Sequence, residues 1–239
     1  MYEREHRMFD EDTENALREL FESLPRSVED YLVISTKPGK CSTCSEALAL
    51  ARELSRIARD KLKFTILDEE SEGIREKLMV RYVPAFIYGS SKRNIRYYGL
   101  PSGQEFTPFI YVHQYIATGK LNLSKEAIEN VEAVDTPLHV KIFVTPECPY
   151  CPLVVDAFNQ MTLVNNLLLV ETIEAFEHPV EADMYGVMYV PFIAITDPSD
   201  WRKYGARPIE VIPGYAAAED MSRILLRAAK KAKRRAGYE

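Results

Sequence analysis

The sequence predicts an α/β protein built from two consecutive copies of one unit, each a mixed β-sheet flanked by helices. Three observations carry that prediction. Cys-x-x-Cys occurs twice, at Cys41/Cys44 and at Cys148/Cys151. A Val-Pro follows each pair, and both Cys41 to Pro84 and Cys148 to Pro191 measure 43 residues. One offset of 107 residues therefore superposes both cysteines and the Val-Pro. A repeat of about 110 residues is an ordinary domain length. The predicted units are residues 1–119 and 120–239, with "GKLNLS" (119–124) at the junction.

The elements follow from periodicity and punctuation. In the first unit, 13–24 reads as a helix with Thr13 as N-cap, and 31–36 as a buried strand. Residues 42–60 place Ala47, Leu48, Ala51, Leu54 and Ile57 on one helical stripe. The strand "LKFTILD" (62–68) comes next, then a short helix at 72–81, strands at 84–88 and 94–98, and a helix at 104–118. The second unit repeats this order. It has a helix at 124–134 with Ser124 as N-cap, a strand at 138–144, a helix at 151–164 and a strand at 167–173. A helix at 180–186, strands at 191–196 and 208–212, and a helix at 217–235 complete it. An order β-α-β-α-β-β-α demands a mixed sheet with helices on both faces. The closing glycines, Gly99 and Gly214, lie 115 rather than 107 residues apart. The extra eight residues fall around "DPSDWRKYGARP", which predicts a longer surface hairpin.

Composition narrows the class. With 46% hydrophobic and 28% charged residues, the 239-residue chain reads as globular. No apolar run reaches the roughly 18 residues that span a bilayer, and the charged start "MYEREHRMFDEDTENALREL" has no signal-like apolar segment. These features predict a cytoplasmic protein with no membrane partner. A net charge of −6 argues against nucleic acid, and the basic end "RAAKKAKRRAGYE" reads as the solvated face of a terminal helix. No GxGxxG follows a strand, so no nucleotide or flavin site is predicted.

Four cysteines in two close pairs suit redox or metal chemistry better than a secreted disulfide scaffold. A shared metal site is the weaker reading, because 103 residues separate the pairs and each opens a helix in its own repeat. Two purely structural disulfides would add little, since such short loops remove little chain entropy. The histidines His6, His113, His139 and His178 lack ligand spacing to either pair and read as surface or core. The aromatic group Tyr97, Tyr98, Phe106, Phe109, Tyr111 and Tyr115 reads as packing rather than a substrate surface.

A strand, a CxxC at the start of a helix and a Val-Pro before a later strand together resemble the thioredoxin fold. Two such units in one chain resemble the protein disulfide oxidoreductases of hyperthermophiles, relatives of protein disulfide isomerase. "CPYC" matches that family's second motif and is also the glutaredoxin dipeptide, whereas "CSTC" fits the first motif loosely. "RYYGLPSGQEF" and "YGVMYVP" also look like family segments. The resemblance implies a thiol–disulfide oxidoreductase that reduces, forms or isomerises protein disulfides. It implies no cofactor beyond the redox-active disulfides, no metal, protein substrates carrying disulfides or dithiols, and a thioredoxin reductase as electron donor. It further implies cis bonds before Pro84 and Pro191, with Val83 and Val190 offering backbone hydrogen bonds to a bound peptide. A glutathione-using, glutaredoxin-like reductase is the alternative enzyme, and a zinc-binding or chaperone-like module the alternative outside catalysis.

The site residues then take roles. A thiol exchanging with a disulfide reacts as thiolate, which a helix N-terminus stabilises. Cys41 and Cys148 are the expected attacking thiols, and Cys44 and Cys151, one turn on, the resolving ones. Pro152 is tolerable because the first helical N–H groups lack intrahelical partners, and it places a helix start at Cys148. Tyr150, between the cysteines, is the expected exposed peptide contact. The residue before each CxxC is Lys40 or Glu147 where thioredoxin has Trp, and no carboxylate is expected in the strand ahead of either pair. Lys40 and the uninterrupted N–H groups after Cys41 favour a thiolate there over Cys148, beside Glu147, Pro149 and Pro152.

Overall fold

A computed structural model describes residues 8–89 and 93–235. Helix α1 (Glu11–Glu22) is capped by Asp10, not Thr13: the Asp10 carboxylate accepts the Thr13 N–H at 2.8 Å. Glu11, Asp12 and Glu14 fill the first turn, where the positive end of the helix dipole favours them. Strand β1 (Val28–Ile34) begins earlier than 31 because it runs in register with β2 (Leu62–Asp68), Val28 opposite Leu62. Between them lies α2 (Cys44–Ala58). Helix α3 (Ile74–Leu78) is shorter than expected, since Gly73 and Met79 at its two ends both adopt positive φ. Strands β3 (Ala85–Ile87) and β4 (Ile95–Tyr98) follow, then a single 3-10 turn at Gly103–Glu105 and α4 (Phe106–Thr118).

The second half starts with α5 (Lys125–Glu132), capped as expected by Ser124, whose hydroxyl accepts the Ala127 N–H. Strand β5 (Leu138–Val144), α6 (Cys151–Val164), β6 (Leu168–Glu174) and α7 (Pro179–Met184) come next. Strands β7 (Phe192–Thr196) and β8 (Glu210–Pro213) and the amphipathic α8 (Ala218–Arg235) close the chain.

The two halves share one sheet. Among the described residues it has eight strands, in the order β2-β1-β3-β4-β6-β5-β7-β8. At the centre β4 pairs in parallel with β6, Ile95 to Tyr98 against Val170 to Ile173. Each half alone would leave that strand as an open edge, and pairing them satisfies both. Asn94 strengthens the junction: its side-chain amide donates to Leu168 O at 2.6 Å and its carbonyl accepts Val170 N–H at 2.8 Å. Only β3 and β7 run antiparallel to their neighbours on both sides. The C-terminal ends of β1, β4, β6, β5 and β8 and the N-terminal ends of β3 and β7 therefore meet along one rim of the sheet.

Side-chain alternation separates two layers. Leu32, Phe86, Tyr97, Val140, Ile142 and Val170 pack with α1, α2, α4, α5, α6 and α8. Val33, Ile87, Tyr98, Phe143 and Ile173 form the smaller core beside α3 and α7. Tyr97, Tyr98, Phe109 and Tyr115 are buried as packing residues and Phe106 is partly buried, while Tyr111 is exposed. His113 and His139 are fully buried and His178 half-buried; His6 lies outside the described residues.

Candidate active sites

The loops after β1 and β5 carry the two cysteine pairs to the common rim. Each pair is closed within its own motif, Cys41 to Cys44 and Cys148 to Cys151, with Cα atoms 5.5 Å apart in both. Helices α2 and α6 start at the second cysteine, so Cys41 and Cys148 stand just ahead of the helix rather than in its first turn. The expected start at 42 and the placing of a helix start at Cys148 are therefore too early, whereas the expected helix 151–164 is found as α6. Pro152 explains the second: its fixed φ and missing N–H suit the first helical positions, which puts the start at Cys151. The Cys151 N–H donates to Cys148 Sγ at 3.1 Å, and the Ser35 N–H points at Cys44 Sγ at 3.4 Å. In both pairs the second cysteine is buried; Cys41 is half-exposed, whereas Cys148 is 7% exposed.

The Val83–Pro84 and Val190–Pro191 bonds are both cis, immediately before β3 and β7 on the same rim. Both prolines are buried and both valines half-buried. Val83 shares a cavity of about 190 Å³ with Cys41. Tyr150 is exposed, with its ring 5.8 Å from that of Tyr215.

Surroundings distinguish the two pairs. The Cys41 cavity is charged, lined by Lys40, Glu69, Arg75 and Arg81, and it is completed by Glu177 and His178 from the second half. Lys40 is engaged by Glu70 at 2.6 Å and Glu69 at 3.5 Å, so its charge is directed at carboxylates and not at Cys41. Hydrogen bonds from Lys37 and Lys40 hold the Glu70 carboxyl at about 2. The Thr43 hydroxyl donates to Glu177, whose other oxygen accepts the Leu100 N–H at 2.7 Å. The His178 ring lies 4.6 Å from that of Tyr82, and burial pushes its pKa down to about 4.

Behind these loops runs a buried ion network that sequence reasoning did not find. Arg81 from the first half reaches Glu181 on α7 at 3.2 Å, the Lys203 carbonyl at 2.8 Å and the face of Tyr204 at 4.4 Å. Lys141, fully buried on β5, donates to the same Glu181. One strand along, Glu171 lies 2.7 Å from His139 and 3.7 Å from Arg96, and accepts the Tyr98 hydroxyl at 3.1 Å. Burial alone would raise Glu171, but His139, Arg96 and Lys141 outweigh it and hold the carboxyl at about 2. Lone charges inside the apolar runs "HVKIFV" and "LLLVETIE" were the available signal.

Two further carboxylates are buried, and the first corrects the expectation that none lies in the strand ahead of either pair. Because β1 starts at Val28 it includes Asp30, which is fully buried, 2.8 Å from His113 Nε2, and accepts the Gly89 N–H at 2.8 Å. It sits near the start of β1, away from the rim. Glu105 is also fully buried, and neither of its carboxyl oxygens has a hydrogen-bond partner among the described residues. Burial pushes its pKa up to about 8. The turn that carries Glu105 docks on the loop before Cys148: the Gln104 N–H donates to Pro146 O at 2.8 Å. A Cβ added at the neighbouring Gly103 would stand 2.4 Å from that same Pro146 oxygen, so this approach requires glycine. Among the described residues, no three His, Cys, Asp or Glu side chains group to hold a metal, and no helix is long and apolar enough to cross a membrane.

One sheet, two CxxC disulfides beside cis prolines and helices on both faces define a tandem thioredoxin-fold protein with the site architecture of the thiol–disulfide oxidoreductases. Residues 138–202 match the thioredoxin domain family. The chain is similar to a protein disulfide oxidoreductase from Aeropyrum pernix, with a TM-score of 0.77 and 26% identity over 92% of this chain and 94% of that one. Its fold is shared with the alkylhydroperoxide reductase AhpF of Enterococcus faecalis, with a TM-score of 0.75 and 19% identity over 91% of this chain and 99% of that one. In sequence, it is 22% identical over 72% of its length to a Bacillus subtilis protein named NADH dehydrogenase. The chain spans about a third of that relative's length (32%).

Proposed function

We propose that the protein is a thiol–disulfide oxidoreductase that reduces, forms or isomerises protein disulfides at its two CxxC sites. The observation that carries this reading is the pairing, on one rim, of each closed dithiol with a Val-Pro loop at the same place in both halves. In the reducing direction, the Cys148 or Cys41 thiolate attacks one sulfur of a substrate disulfide. A mixed disulfide forms and a substrate thiolate leaves. The Cys151 or Cys44 thiolate then attacks its partner sulfur, closes the CxxC disulfide and releases the second substrate thiolate. Two electrons pass from the protein dithiol to the substrate. Val83 and Val190 hold the substrate backbone beside the prolines, and Tyr150 is its exposed contact. The turn that carries Glu105 docks on the loop before Cys148, and burial keeps the Glu105 carboxyl protonated near neutral pH.

The dithiols are restored by an outside reductant, for which we propose a flavin-dependent thioredoxin reductase; no cofactor is assigned beyond the disulfides themselves. A cytoplasmic location is part of the same proposal. An isomerase-like mode and a hyperthermophilic origin are carried by the resemblance. The test is insulin-disulfide reduction with dithiothreitol, comparing wild type with Cys41→Ser/Cys148→Ser. The double variant is expected to fall to the uncatalysed rate, and a double variant matching wild type would overturn the reading.

A further inference from the structure

The duplication allows the two rims to be compared position by position. At the 107-residue offset, Thr43 corresponds to Tyr150, Arg81 to Met188 and Tyr82 to Tyr189. Strands β2 and β6 match 106 residues apart, where the Glu69 N–H to Ile34 O bond is repeated by Ala175 N–H to Val144 O, so Glu70 corresponds to Phe176. At the 115-residue offset of the closing segment, Leu100 corresponds to Tyr215. In the first half Arg81 and Tyr82 are buried, and Glu70 is an exposed carboxylate paired with Lys37 and Lys40. In the second half Phe176 is 72%, Met188 86% and Tyr189 58% exposed, and Tyr150 and Tyr215 are more than half exposed.

These exposed side chains form one strip by topology. In the strand order β6-β5-β7-β8, Phe176 follows β6, the CPYC loop follows β5, Met188 and Tyr189 precede β7, and Tyr215 follows β8. A run of exposed aromatic and Met side chains around a reactive centre marks an interaction surface, because water solvates it poorly and flexible Met adapts to varied partners.

The strip is also poor in free cations: Arg202 and Lys203, on the loop whose Gly205 meets Met184, pair with Glu76 and Asp200. From Ile142 to Trp201 the chain contains neither Lys nor Arg. Glu147 and Asp183 are exposed beside the strip and Glu177 is partly exposed, whereas the first rim has Lys37, Lys40 and Arg75 among its carboxylates. Charge complementarity therefore selects a cationic partner.

We propose that the CPYC rim docks polypeptide segments in which apolar and basic residues flank the reacting disulfide. This rests on the oxidoreductase reading, and it names the substrate class of one of its two sites. The docked segment lays its apolar side chains on Phe176, Met188 and Tyr189, and its Lys or Arg side chains reach Glu147 and Asp183. Exchange is then the two-step transfer already described, with dithiothreitol as the reductant that restores the Cys148/Cys151 dithiol.

The test measures kcat/KM for three synthetic disulfide peptides that share one core, with the disulfide flanked by Leu/Lys, by Leu/Glu or by Ser/Lys. Hydroxyethyl disulfide serves as a substrate too small to reach the strip. The assay uses wild type, Cys41→Ser/Cys44→Ser and Glu147→Gln/Asp183→Asn. The Leu/Lys peptide is expected to lead the Leu/Glu peptide by about tenfold at low salt, a rim-charge effect on encounter. That ratio is expected to shrink at about 0.5 M salt, where screening shortens the reach of charge, and to fall in Glu147→Gln/Asp183→Asn. The Ser/Lys peptide is expected to lag the Leu/Lys peptide in both proteins that retain the two carboxylates. Equal rates for the three peptides, or a lead for Leu/Glu, with hydroxyethyl disulfide still reduced, overturn the docking proposal and leave the oxidoreductase reading standing. If hydroxyethyl disulfide is not reduced either, both fall.

Discussion

The two halves descend from one pattern and end in different surroundings. The CSTC rim is roofed: Arg81 is locked by Glu181, the Lys203 carbonyl and Tyr204, and Glu177 ties down Thr43 between the cysteines. All of those partners come from the second half. The CPYC rim has no such cover at Met188, the counterpart of Arg81. The residues inserted between β7 and β8 account for part of the difference, because Lys203 and Tyr204 lie within them. A repeat thus diverges less by changing its chemistry than by what its neighbour lays over it.

The sharpest way to break the comparison is to remove one attacking thiol at a time. Cys148→Ser is expected to lower insulin reduction at least about tenfold, and Cys41→Ser less than about threefold, because the exposed apolar side chains that can hold a polypeptide lie at the CPYC rim, even though Cys41 is the more exposed cysteine. The reverse order would mean that those side chains do not decide which rim works.

Glu181→Ala tests whether the roof holds the halves together. It strips Arg81 and Lys141 of their shared carboxylate and is expected to cost about 3–5 kcal/mol in denaturant unfolding, as for other broken buried ion pairs. An exposed pair such as Lys125–Glu129 should cost under about 1 kcal/mol when broken.

Buried Glu105 and half-buried His178 give stability opposite pH trends. Glu105, raised to about 8 from 4.5, keeps a proton in the folded chain that the unfolded chain sheds. Its contribution is fully present below the unfolded value and is lost as pH rises through 8. His178, lowered to about 4 from 6.5, contributes above the unfolded value and loses that contribution as pH falls toward 4. Glu105→Gln should match wild type near pH 5 and exceed it by roughly 2–4 kcal/mol at pH 9 in urea titrations. Equal stability at both pH values would sink the assignment of Glu105 as a buried, protonated carboxyl. The smallest effects belong to the helix caps. Ser124→Ala is expected to cost about 1 kcal/mol in thermal or denaturant unfolding, and Asp10→Ala to lower the unfolding midpoint slightly.

The duplication, the four cysteines and both Val-Pro loops were legible because they are written as spacing, which a sequence displays directly. Ser124 was legible as a cap because a helical pattern starts right after it. Asp10 was not: Thr13 is an equally good capping residue by type, and only backbone geometry chooses between them. The union of two sheets through β4 and β6 leaves no periodic trace, since an edge strand and a central strand of the same length read alike. The "DPSDWRKYGARP" segment did prove to connect two antiparallel strands, but its packing on Arg81 depends on a partner 122 residues away. Glu105 escaped notice because a glutamate in a polar turn gives no hint of complete burial.

The β4–β6 pairing has a last consequence, one of distance. Strands β1 and β5 are four steps apart in the sheet, about 19 Å at about 4.8 Å per step. Exchange needs sulfur in contact with sulfur, and the continuous sheet holds that gap fixed. On the oxidoreductase proposal, a gap of that size would keep the two dithiols from exchanging directly within one chain, and each would be charged and discharged from outside. A client held at both ports at once must span them itself, with roughly six extended residues between its cysteines.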